Sequence, residues 1–100
     1  MSRLRMSVLV LDSVEPFSVE LCGRDAWALQ SLVRAGEGGC TPIDHPGPRW
    51  SHYVWKLRRA GIAIETIDEA HGGIFASYHA RYVLRSRVQV VVAEDAVEAA

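Results

Sequence analysis

The sequence predicts an α+β fold in one domain, with two helical segments set among strands. Three observations carry that reading. Residues 17–22 alternate apolar and polar with a period of two, whereas 24–35 and 49–59 repeat with the helical period. Glycines, Gly36 and Gly61, stand where each helical segment should stop. The length of 100 residues suits one hydrophobic core and is too short for two.

Each strand and helix has its own justification. Residues 7–11, SVLVL, are apolar on both faces. That pattern fits a strand covered on both sides, or an edge that pairs with a second copy of the chain. Asp12–Pro16 reads as a turn. Phe17, Val19 and Leu21 then alternate with Ser18, Glu20 and Cys22, as in a one-sided strand, so the two strands suit a hairpin.

The first helix is expected from Gly23 or Arg24 to Ala35, with Ala26, Leu29, Leu32 and Val33 as its core stripe. Asp25 in the first turn complements the helix dipole. Trp27 falls almost opposite that stripe, so the expectation is that the N-terminal hairpin or the tail covers it. The competing reading makes Trp27 a partner site. Thr41-Pro42-Ile43-Asp44 reads as one helical turn, with Thr41 as cap and Pro42 in first position. His45–Pro48 reads as a rigid turn.

The second long helix, 49–59, carries the candidate chemistry. At about 100° per residue, Trp50, Val54 and Leu57 share one face, with Tyr53 at its edge. Arg49, His52, Lys56 and Arg59 fall together on the other, and Trp55 lies between the two. Ser51 and Arg58 sit near the border. Ile62 and Ile64 then alternate with Ala63 and Glu65 as a half-buried strand. Residues 68–80 are expected as a loop with Gly72 and Gly73 at its tip and His71 and His79 on its flanks. From Arg81 a further strand sets Tyr82, Leu84, Val88 and Val90 on one face and Arg81, Arg85 and Arg87 on the other. Glu65 is placed to pair with one of those arginines. Val90–Ala93 suits pairing with the first strand, and the tail 93–100 is expected to be frayed.

Composition narrows the function classes. Hydrophobic residues make up 49% and charged residues 23%, which excludes a disordered chain. No apolar run is long enough for a membrane span, so no membrane role is expected. Two cysteines without framework spacing fit reduced thiols and a cytoplasmic location. Cys22, Cys40, His45 and His52 lack the spacing of a metal site. Cys40 and His45 have no third group to complete a nucleophile, and Gly36, Gly38 and Gly39 lack the lysine of a phosphate-cradling loop. Neither enzyme activity nor a cofactor is therefore expected. The net charge of −1 hides an uneven distribution. Between Asp44 and Glu65 stand Arg49, Lys56, Arg58 and Arg59 without a carboxylate, and the local field governs docking.

Strand, helix, short turn, basic helix, strand, glycine-tipped loop and strand is the order of a winged helix-turn-helix. The stretches TPIDHPGPRWSHYVWKLRRAGIAIETI, HGG and HARYVLRS resemble the small phage- and prophage-type winged helix-turn-helix domains. Ala35-Gly36, Thr41-Pro42, Leu57–Thr66 and Arg81–Leu84 carry the likeness, which spans about residues 17–88. It implies a three-helix core with a hairpin wing, a core over 17–92 and an added N-terminal strand or hairpin. It also implies a small transcription regulator that binds double-stranded DNA. Arg49, Ser51, His52, Lys56, Arg58 and Arg59 then face groove and phosphates, while His71, Gly72, Gly73 and Arg81 act from the wing. The alternative reading is a winged helix that binds and inhibits a host protein through Trp27, Trp55 or the basic face. A homodimer through strand 7–11 is the third.

Overall fold

The computed structural model describes residues 2–44, 49–71 and 77–97. The chain opens with β1 (Ser2–Val10) and β2 (Phe17–Cys22), which pair antiparallel with Val8 opposite Val19. Helix α1 (Gly23–Ala35) follows, then a 3-10 turn over Gly36–Gly38. Next come α2 (Trp50–Arg59), β3 (Ile64–His71), β4 (Ser77–Leu84) and β5 (Val88–Val97). No helix among the described residues is long and apolar enough to cross a membrane.

The strands form two sheets, ordered β2-β1-β5 and β3-β4. In the first, Met6, Val8 and Val10 turn their side chains into the core from the central strand. The expected pairing of the last strand with the first is present, with Val10 opposite Val88 and Val8 opposite Val90. Both edges of β1 are therefore occupied within the chain. This corrects the expectation of a homodimer through residues 7–11, because both sides of β1 are already paired within the chain. The tail also needs correction, since β5 runs to Val97 with Glu94 opposite Arg5.

One strand was expected from Arg81 onward, and two are found. The N–H groups of Arg85 and Ser86 donate to the Ala63 carbonyl at 2.9 and 3.2 Å, and Ala63 N–H donates back to Ser86 Oγ at 2.8 Å. These bonds end the β3–β4 ladder. The chain then crosses to the other sheet, where Leu11 N–H donates to Arg87 O at 2.8 Å.

The expected loop 68–80 is mostly ladder, with pairs continuing to His71 opposite Ser77. Gly72 and Gly73 lie outside the described residues, as do residues 45–48. The short helix expected at Thr41 is a turn over 42–44, although the cap bond is present, Asp44 N–H donating to Thr41 Oγ1 at 2.9 Å. The described residues thus hold two α-helices and a 3-10 turn, not a three-helix core.

Between α1 and α2 the chain is tied to the hairpin. Cys40 N–H donates to Tyr82 O at 2.9 Å, and Tyr82 N–H to Cys40 O at 2.8 Å. Gly39 makes that approach possible: its φ is +67°, and a Cβ there would stand 2.6 Å from the Tyr82 carbonyl oxygen. Gly61 (φ +100°) ends α2 as expected, with Phe17 Cζ 2.7 Å from where its Cβ would be.

The core joins both sheets and both helices, through Val8, Leu29, Leu32, Val54, Leu57 and Tyr82. Truncating one such leucine to alanine costs roughly 2–5 kcal/mol. On α1, Ala28 is buried, while Val33, expected in the core stripe, is 37% exposed. Val33 sits in the last turn of the helix.

Candidate nucleic-acid interface

Helix α2 presents three arcs, fixed by the helical period. The inner arc is Trp50, Tyr53, Val54 and Leu57, all buried. Trp50 stacks on Tyr82 at 6.0 Å and meets Trp27 at 5.2 Å. Tyr53 meets Trp27 edge-on at 6.4 Å. Trp27 is thus packed against α2, and Arg24 lies over its ring at 5.5 Å. An indole is long enough to reach across the groove between two helices, which the helical wheel alone does not show.

The flanking arcs are fastened to neighbouring elements. On the α1 side, Lys56 Nζ lies 2.7 Å from Asp25 Oδ2. On the β3 side, Arg58 donates from Nε and Nη2 to Ile64 O at 3.1 and 2.7 Å, and from Nη2 to Thr66 Oγ1 at 2.8 Å. Both residues were expected to be free donors. The structure uses them to hold α2 in place, while leaving their heads at the surface.

The outer arc is His52, Trp55 and Arg59, with Ser51 exposed beside it. Trp55 is 52% exposed. The His52 ring lies 6.0 Å from it at 18°, and the Arg59 guanidinium carbon stands 4.9 Å over the indole. The crest is therefore a cation–aromatic ridge with an indole at its centre, not the basic strip expected. Arg49 is not on the helix. It is the N-cap residue, in the left-handed conformation at φ 65° and ψ 42°, and its carbonyl accepts from His52 and Tyr53 N–H at 2.9 and 3.3 Å.

In the hairpin, Arg81 donates from Nε to Glu69 Oε2 at 2.7 Å and from Nη1 to Gly38 O at 2.6 Å, with Asp44 at 3.9 Å. Its guanidinium, expected to reach a phosphate, is instead engaged by the chain's own oxygens. The Arg81 hydrogen bond holds the Glu69 carboxyl below its usual range, against desolvation and with help from His79 at 3.0 Å. Glu65 does pair with an arginine of the neighbouring segment: Arg85 donates to its Oε1 at 2.7 Å. His71 closes the β3 ladder, and its side chain lies outside the described residues.

No carboxylate pairs with Arg49, Arg58 or Arg59 among the described residues. Nor do three His, Cys, Asp or Glu side chains converge there to hold a metal. Burial pushes the Cys40 thiol up to about 11, which keeps it protonated and poorly nucleophilic. The features that sequence reasoning missed are the anchors Asp25 and Glu69, whose partners come from other elements.

A family model described as a winged helix domain matches residues 18–94. No curated protein and no solved structure matches the chain.

Proposed function

The chain belongs to the winged helix domain family, and we propose that it is a small regulator of transcription that binds double-stranded DNA. In this reading the outer arc of α2 enters the major groove and the β3–β4 hairpin lies along the neighbouring backbone. The observation that carries it is the outward side of α2, where Arg59 stands exposed and no carboxylate among the described residues pairs with it, with the exposed Arg49 at the N-cap and Arg58 on the β3 flank close by. A bare helix of this width fits the groove, and guanidinium groups suit both phosphate and guanine. His52 and Ser51 add donors beside them. Lys56 and Arg81 serve as positioning residues: the first sets α2 against α1, the second sets the hairpin against residues 38–44. The proposal assigns no catalytic step to the chain, and it takes the prophage-type likeness as the context in which such a regulator acts.

The test is fluorescence anisotropy of the protein with mixed-sequence duplex DNA over a salt series. Binding should weaken with a log–log slope of about −0.9 per phosphate contact. Arg59→Glu should lower affinity at every salt concentration. Absence of binding at the lowest salt would end this reading.

One observation favours a second reading, in which the same arc binds a host protein as an inhibitor. Trp55 stands exposed with Arg59 beside it, and tryptophan and arginine dominate protein hot spots. In that case Trp55→Ala abolishes capture of the partner, while duplex DNA does not compete.

A further inference from the structure

The crest of α2 has an apolar centre, and under the DNA reading just given that centre must meet something on the groove floor. Trp55 points outward midway between the flank tied to Asp25 through Lys56 and the flank tied to Ile64 through Arg58. Its ring is held by its own helix: the His52 imidazole lies nearly parallel to it, and the Arg59 guanidinium stands over it. The indole is thus ordered before any partner arrives, so little side-chain entropy is lost on binding.

Phosphate gains little from such a ring, which carries no charge. On the major-groove floor, the apolar group is the 5-methyl of a pyrimidine, which in unmodified DNA belongs to thymine. We infer that Trp55 reads a thymine methyl group in the major groove, and that Arg59 reads a guanine close by. The Arg59 guanidinium carbon stands 4.9 Å from the centre of the indole, so the two groups meet the same or neighbouring base pairs, which lie about 3.4 Å apart. The same helix position could not favour cytosine, which offers an N–H donor and no methyl group.

The test starts from a duplex selected by the intact protein from a random-sequence pool. Each thymine of that duplex is replaced in turn by uracil, which removes only the methyl group. One replacement should weaken binding about fourfold, the value of one buried methyl. With Trp55→Ala the thymine and uracil duplexes should bind alike, while Trp55→Phe should keep the preference. Equal affinity for all uracil duplexes, or a preference that survives in Trp55→Ala, overturns the inference and leaves DNA binding standing. Failure of the wild-type protein to bind any duplex overturns DNA binding, and this inference with it.

Discussion

Lys56 Nζ and Asp25 Oδ2 stand 2.7 Å apart, joining the two helices at their surface. Exposed pairs of this kind contribute roughly 0.2–1 kcal/mol. Lys56→Glu places two carboxylates together, so it should lower stability by about 1 kcal/mol. Asp25→Lys in the same chain should restore most of that loss. Urea unfolding of the two single variants and the double variant checks the cycle. For the same reason Lys56→Glu is a poor probe of DNA contact, because it disturbs the seating of α2.

Arg59 offers a cleaner probe. Its guanidinium lies over Trp55 on its own helix. Arg59→Ala should leave the melting temperature nearly unchanged and lower DNA affinity. If the residue meets phosphate, the salt slope should fall by about one unit; if it meets guanine, the loss should depend on sequence instead. Anisotropy at several salt concentrations separates the two.

Gly39→Ala should damage the fold. The alanine methyl would lie 2.6 Å from the Tyr82 carbonyl oxygen and 2.9 Å from Val83 Cγ2, at a φ of +67°. With ψ at −176° this backbone conformation alone costs an alanine about 1–3 kcal/mol, and the clash opposes the Cys40–Tyr82 bridge as well. Thermal unfolding should show a loss larger than that strain, and amide exchange should quicken at Cys40 and Tyr82.

Arg49 should behave in the opposite way. Its left-handed backbone at the N-cap is unfavourable for arginine and suits asparagine, a preferred cap residue. Arg49→Asn should therefore stabilise the protein by about 1 kcal/mol. It should also weaken DNA binding, because a cation beside α2 is removed. A rise in both stability and affinity would argue against a contact from Arg49.

Acid should loosen the hairpin through Glu69. Its carboxyl is held below the ordinary range by the hydrogen bond from Arg81. A lowered folded value means the contribution is fully present above the ordinary carboxylate value and is lost as pH falls through the lowered one. Melting curves of wild type and Glu69→Gln should therefore differ at neutral pH and converge in acid. A constant gap down to low pH would show that Glu69 does not act through its charge.

Local pattern was enough for much of this molecule. The alternation of Phe17, Val19 and Leu21 marks β2, and the period of Trp50, Val54 and Leu57 marks the inner side of α2. Gly36 and Gly61 mark the helix ends, since a left-handed stop needs no partner to be recognised. These features depend on neighbours within a few residues. Thr41 likewise caps its turn through a bond to Asp44, three residues on.

What the sequence by itself determined, then, was the order of elements and the identity of the basic helix, because both follow from period and local backbone preference. Only the tertiary structure decided which cations stay outward. Lys56 is taken by Asp25, and Arg81 by Glu69 and Gly38, across chain separations that no helical or strand period encodes. The same holds for Trp27, packed against Trp50 and Tyr53, and for β1, paired on both sides. Long-range packing settles such partners, since a charge or an open strand edge is satisfied by whatever the folded chain brings within reach.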